Sequence, residues 1–362
     1  MASTGGGRGD IDNQYAHSMV ESSFTSERDA LESLLDEELA FDATTANGLT
    51  NHLPMALVAK SGLGASSEEL GRFASRYEVR LAPRDAIDTR LTSGTWRSAI
   101  GQVGTFEDLC DYFMSAVNDD GPEETVRRHL DALTSGICGA AFHGAIRLAY
   151  ALELSSPQRI AAGLAYLSES AEPLGAPFSL HEGDETVNDV LAQLASSHEF
   201  DEPSNRRLIS QEMLDVAATD AFRRAVTSCR IGDDTLDELR RAALTLYATT
   251  GDFTSLHAVT GVEALTALRP YAQDVTKFDA ACVTGVAAAY ATVGAPSLSS
   301  PDQLSQFTEA HRAKVEDVAA VGANSDDEHV SKLVYTSLRL HATTNDDLYL
   351  AVAARKAGLT SP

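Results

Sequence analysis

Apolar residues recur at three- and four-residue spacing along nearly the whole chain and almost nowhere alternate one for one. That pattern constrains the fold most, because each such segment can bury its stripe only as an α-helix packed on other helices. Ser26 to Leu39 shows it plainly, with Leu31, Leu34, Leu35 and Leu39 on one side. Ser66-Ser67-Glu68-Glu69 spells a capping box, in which a serine hydroxyl and a glutamate carboxylate satisfy orphan amides at a helix start. The same signals predict helices near 51–64 and from 66, then over 105–118, 122–134, 137–153, 156–170, 186–197, 210–229 and 233–249. Others are expected over 255–268, 275–293, 301–321, 326–341 and 345–357. HEFDEPSNRR, around residue 200, reads as a long exposed loop, and residues 1–22 as a disordered polar start. The expectation is all-α: one large multi-helix domain over residues 23–362, with a buried site between helices. No fixed-period repeat suggests a solenoid.

Charge and missing motifs exclude several functions. Acidic residues number 53 against 28 basic, a formal net charge of −25, which argues against nucleic acid as a partner. Ala280 to Pro301 carries no charge, but Gly294 and Pro296 cut it short of the ~20 apolar residues that span a bilayer. It reads as a buried small-residue helix, and no membrane partner is expected. Cys110, Cys138, Cys229 and Cys282 form no CxxC pair. Cys138 and Cys282 lie in apolar helical runs and are expected as small core residues in a reducing, cytoplasmic compartment. No GxGxxG follows a strand, and no GxxxxGK[ST], GxSxG or HExxH occurs, so a Rossmann-type oxidoreductase has no support.

Two acidic clusters, Asp119-Asp120-Gly121-Pro122-Glu123 and Asp233-Asp234-Thr235-Leu236-Asp237, have the form that holds magnesium and a diphosphate in class I terpene synthases. Both fall at predicted helix starts, where carboxylates simply favour the helix dipole. Aromatic residues are only 6% of the chain, sparse for a site that stabilises carbocations.

The histidines say more. His52 in NHLPMALVAK, His143 in FHGAIRLAYALE, His257 in FTSLHAVTGVEAL and His329 in SDDEHVSKLVYTSL each sit in a helical, apolar setting. Taken singly, each is an ordinary core histidine; four on separate helices suggest a shared metal site. Ser325-Asp326-Asp327-Glu328 reads as a capping box that fixes the start of the 326–341 helix, so His329 and Lys332 project one turn apart on one face. Leu333, Thr336 and Leu340 continue that face inward. A lysine so buried has its pKa lowered. Its neutral amine is then a base, a nucleophile, or a trap for carbon dioxide as an anionic carbamate. Imidazole suits iron, zinc or copper, and a mixed histidine and carboxylate-like set with open positions suits non-haem Fe(II).

At these segments the chain resembles the questin oxidase-like family, all-helical oxidoreductases of aromatic polyketide metabolism. The resemblance runs in order from about residue 28 to 355. Its anchors are ESLLDEELAFD, TNHLPMALVAKSGLGASSEELGRFASRYEVRL, GTFEDLCDYFMSAV, FHGAIRLAYALE, FTSLHAVTGVEAL and DDEHVSKLVYTSL. It implies oxygen-dependent cleavage of anthraquinone-type rings, as a Baeyer–Villiger oxidation or a dioxygenation. It also implies a mononuclear iron held by His52, His143, His257 and His329, with Lys332 as the carboxylated lysine. Two positions depart from the histidine-rich form of fungal members: Arg147, where HPLIH would end in histidine, and Met55, after NHLP. Arg147 is a candidate to hold an anionic substrate, or else half of a buried ion pair. Tyr150, two turns from His143, is a candidate donor to a quinone oxygen, or else a packed aromatic.

The expected function is therefore a metal-dependent oxygenase acting on an aromatic small molecule and dioxygen. Catalytic roles are expected for Lys332 and Tyr150. Need for NADPH or a reductase, and the oligomeric state, are not set by the sequence. The alternatives are a helical binding or scaffold protein that has lost catalysis, and a magnesium-dependent lyase built on the aspartate clusters.

Overall fold

The structure, a computed structural model, describes residues 27–175, 183–201 and 208–359. The expected disordered start, residues 1–22, lies outside the described residues, as do residues 202–207 of the expected loop. His198–Phe200 form a single 3-10 turn before it.

Helices build nearly everything, as the periodicity requires. α1 (27–38) leads into β1 (Phe41–Thr45), then α2 (Leu53–Gly62), α3 (Ser67–Glu78) and β2 (Leu81–Pro83). The two strands pair antiparallel, Thr45 opposite Leu81 and Phe41 opposite Pro83. This small sheet was not expected; its strands are too short to show a period. The Ser66 capping box forms as read, with Ser66 and Glu69 each satisfying the other's backbone amide. α4 (Phe106–Asp120) and α5 (Pro122–Leu133) follow, hinged at Gly121, whose φ of 84° suits only glycine. Asp119 and Asp120 therefore close α4 instead of opening a helix, a correction to the sequence reading; Asp120 pairs with Arg128.

The continuous helix expected over 137–153 is broken. Gly139–Phe142 make a 3-10 turn in which Ala140, Ala141 and Phe142 all have left-handed φ, at 47°, 52° and 69°. Cys138 precedes this turn and is not helical, although it and Cys282 are buried as expected; Cys110 and Cys229 are buried too, and all four are free. α6 (His143–Glu153) thus begins at the histidine itself. α7 (Pro157–Glu169) and α8 (Val187–Ala195) come next.

Two further long helices are split. Residues 210–229 become α9 (Ile209–Ala217) and α10 (Asp220–Thr227), because the Thr219 hydroxyl caps Phe222 N–H and starts a new helix. After α11 (Thr235–Thr250), α12 (Phe253–Leu268) and α13 (Val275–Thr292), the stretch 301–321 becomes α14 (Pro301–Ala310) and α15 (Val315–Asn324). α14 packs on α17 (Asp347–Lys356), whereas α15 packs on α16 (Glu328–Thr344) and α2, so the chain must turn between them.

α13 is buried at every position from Phe278 to Thr292, the mark of a helix enclosed on all sides. No helix among the described residues is long and apolar enough to cross a membrane. Beside α13, α12 joins a second arrangement: α2 packs on α6, α6 on α12, α12 on α16 and α16 on α2, closing a ring of four.

Candidate metal centre

Each helix of that ring delivers one histidine near its N-terminus. His52 is the residue before α2; its N–H donates to Tyr77 Oη (2.9 Å), while Asn51 Oδ1 accepts from Leu53 N–H (3.0 Å). His143 opens α6 from the left-handed turn. That turn persists because its surroundings leave little else: a Cβ on Gly261 would lie 2.5 Å from Phe142 Cγ, and one on Gly285 would collide with Cys138 Sγ. His257 lies in the second turn of α12, whose start is capped by Asp252. His329 is the second residue of α16. Asp327, not Ser325, is the cap there, accepting from His329 N–H at 2.8 Å. Glu328 is consequently freed from the expected capping box and turns its carboxylate into the site.

The four rings converge. His52 stacks on His143 at 4.7 Å between centroids and meets His329 edge-on at 4.7 Å. His257 lies 4.9 Å from His143 and 5.3 Å from His329. Three rings are tethered through Nδ1: His143 to Ala140 O (2.5 Å), His257 to Phe253 O (2.8 Å) and His329 to Asp327 Oδ1 (3.1 Å). Donation from Nδ1–H to these oxygens fixes the tautomer and leaves the Nε2 lone pairs toward the interior. His143 Nε2 is buried with no hydrogen-bond partner among the described residues.

Electrostatics keep the rings in the ligating form. Burial holds His143 down to about 3, with the Lys332 charge adding to the effect. His52 and His257 fall well below the usual histidine range, and His329 below it, each chiefly through burial. Neutral imidazole is what a metal binds. Lys332 is 1% exposed, lies 3.2 Å from His52 Nδ1, and is pulled down by burial to about 8, with Glu328 and Asp327 opposing. Lys60 is buried too, but its amine donates to Ala323 O and Ser325 O at the end of α15, an ordinary cap.

Sequence reasoning missed the carboxylate. Glu328 Oε1 lies 3.6 Å from His52 Nδ1 and accepts from Arg80 (3.3 Å), whose guanidinium stacks on Tyr77. Among the described residues, His52, Glu328 and His329 are the one set of three such groups close enough to share an ion. Phe253, also missed, packs edge-on against both His257 (4.6 Å) and His329 (4.7 Å) and leaves half its surface to solvent. The signal for Glu328 was present: it precedes His329 directly and lies one turn before Lys332. The aspartate clusters offer no rival centre. Asp234 is exposed and paired with Arg230, and Asp237 with Arg240.

A model of questin oxidase-like proteins matches residues 49–337, a span that includes all four histidines, Glu328 and Lys332. The chain belongs to the questin oxidase-like family. Membership implies oxidoreductase activity. No individual curated protein matches it.

The questin oxidase-like ring accounts for five of the expected residues; the other two lie along α6. Arg147 is buried and pairs with Glu38 (2.8 Å), which also accepts from Asn51 Nδ2 (2.9 Å). One guanidinium nitrogen, Nη1, has no partner among the described residues. Met55 and Arg147, the two departures from the histidine-rich form, line the same small void with Glu38 and Tyr150. Tyr150 also lines a larger cavity of about 220 Å³ between α6, α12 and α16. Its hydroxyl is shut from solvent beside Thr336, with no well-formed hydrogen bond, and burial pushes its pKa upward.

Proposed function

We propose that this protein is a metal-dependent oxygenase of an aromatic polyketide or quinone-like small molecule, acting by ring cleavage or a Baeyer–Villiger-type oxidation. The observation that carries the reading is the ring of four neutral imidazoles, three of them tethered through Nδ1 with Nε2 left to the interior, and the fourth, His52, presenting Nδ1 to Lys332 and Glu328. His143 Nε2, buried without a partner, is a lone pair awaiting a cation. His52, His143, His257 and His329 would hold the metal, with an oxygen donor from Glu328 or from a carbamate on Lys332. Nitrogen donors with one anionic oxygen fit iron, the metal the family implies. Iron supplies the one-electron chemistry by which dioxygen reacts with a spin-paired aromatic.

The chain's own groups have distinct tasks. Lys332, with its amine near neutrality and against His52, holds or releases a proton at Nζ. Tyr150 donates a hydrogen bond to a substrate oxygen. The N-termini of α2, α6 and α16 lie at the ring, where their positive ends favour negative charge on a group bound there. Packed apolar helices and the Phe253 ring keep water from it. Arg147 acts through Glu38 and Asn51, whose side chain sets the start of α2 and so the seat of His52.

Metal analysis of the purified protein tests this, together with oxygen uptake on hydroxyanthraquinones. Near-stoichiometric iron, lost in His143→Ala, is expected. Uptake without NADPH indicates that both oxygen atoms enter the product; insertion of one atom consumes two further electrons and requires a reductant. No bound transition metal, with unchanged stability in His143→Ala, would sink the reading. Substoichiometric iron with no oxygen uptake would favour the helical binding protein.

A further inference from the structure

None of the four cavities found among the described residues is lined by a ring histidine, so the space for a reacting molecule is sought beside the ring. A cleft of about 540 Å³ opens beside α11, α14 and α17, but none of its lining residues belongs to the four histidine-bearing helices. The cavity of about 220 Å³ differs in this respect, because α6, α12 and α16 all line it. Thr260 lies one turn beyond His257, Thr336 one turn beyond Lys332, and Tyr150 two turns beyond His143. Residues at these spacings share a helix face, so the faces that carry the ring residues also line the cavity, its nearest lining residue ~5 Å along the helix axis and Tyr150 ~10 Å.

Its lining has a definite chemistry. Deep inside, the Tyr150 hydroxyl is buried beside Thr336 with no well-formed hydrogen bond. A buried hydroxyl without a well-formed bond is a donor that a ligand oxygen can satisfy. Leu152, Ala264 and Ala267 give flat apolar walls. At the mouth, Glu153 accepts from Tyr335 Oη and from Arg339 (2.5 Å), tying α6 to α16, while the Arg339 guanidinium lies over the Tyr335 ring. Every charge around the cavity is matched: Arg339 by Glu153, and Glu263 by Arg240 (3.3 Å). Burial also raises the Glu263 pKa, as expected of a carboxyl in a poorly solvated wall. No cation is left over to receive a carboxylate or sulfonate.

We propose that this cavity is the substrate seat, that it takes an uncharged planar ring system anchored by a hydrogen bond from Tyr150, and that the Glu153–Tyr335–Arg339 bridge forms its rim. The assignment rests on the histidine ring being the reaction centre, but its test does not require turnover. The probes are 1,8-dihydroxyanthraquinone, followed by its visible absorption in equilibrium dialysis, and anthraquinone-2-sulfonate as the anionic counterpart. Binding is measured on protein as purified and after chelation, with metal content determined separately. The neutral probe binds one to one, and the sulfonate at least about tenfold more weakly. Tyr150→Phe weakens the neutral probe about tenfold, the equivalent of ~1.4 kcal/mol. Ala267→Trp, at an exposed position on the wall where folding is not at stake, abolishes binding. Neither variant changes metal content or lowers the unfolding midpoint. The seat is overturned if both variants bind the neutral probe like the parent, if the sulfonate binds equally well, or if the parent binds neither. Absence of metal with probe binding intact defeats the metal reading and leaves the seat standing.

Discussion

Replacing Ala140 with glycine should stabilise the protein, although the residue lies in a stretch whose pattern reads as helix. Ala140 has φ 47° and ψ 38°, the left-handed region, where an L-residue sits about 1–2 kcal/mol above its right-handed form. Glycine removes that strain but loses about 0.4–1 kcal/mol through the greater freedom of its unfolded chain. The Ala140 methyl is only half-buried, so its removal forfeits a fraction of the ~0.8 kcal/mol of a buried CH₂. The balance is a gain of about 0.5 kcal/mol. Were residues 137–153 one right-handed helix, the same change would destabilise by about 1 kcal/mol. The two accounts thus differ in sign. Urea unfolding followed by circular dichroism, with equal slopes for parent and variant, reads the difference from the midpoints. Ala141→Gly is the control: it has the same strain but a methyl only 3% exposed, so its effect should lie nearer zero. A loss of about 1 kcal/mol in Ala140→Gly would refute the left-handed turn.

Other outcomes follow from the same geometry. Asp327→Ala removes both the cap of α16 and the partner of His329 Nδ1; it should cost about 1 kcal/mol and lower metal affinity 10- to 100-fold, read by unfolding and metal titration. Phe253→Ala strips the ring covering His257 and His329, so a chelator should remove metal faster while the unfolding midpoint changes little. In metal-free protein the histidines have folded pKa values below those of the unfolded chain, His143 reaching about 3 against 6.5. The unfolded state then binds more protons as pH falls. Stability should be full above about pH 6.5 and decline below it, by up to ~1.4 kcal/mol per pH unit for each such histidine. A flat profile between pH 7 and 4 would contradict that. Asp233→Ala, at an exposed carboxylate, should leave activity and magnesium response unchanged.

The all-α architecture was legible because periodicity and caps are local: Ser66 with Glu69, and α13 with its charge-free stretch from Ala280, formed where the pattern placed them. What escaped was decided by distant contacts. Ala140-Ala141-Phe142 has helical propensity, and only the closeness of Gly261 and Gly285 explains its left-handed course. The break between α14 and α15 follows from two different packing partners, invisible in either segment alone. The site shows the same division. The four histidines and Lys332 were marked by residue type in apolar surroundings, and they do meet. Glu328 was not separated from Asp327, because two adjacent acids at a helix start look alike until the backbone decides which one caps.

The ring draws on residues 52, 143, 257 and 329, so its first and last members enter the world far apart in time. A chain still leaving the ribosome can present three imidazoles, but not a closed cage, until α16 has been made and has docked between α2 and α12. Capture of an oxygen-reactive metal would then be the final act of maturation. An unfinished or clipped polypeptide would be spared the radicals that a loosely held ion generates.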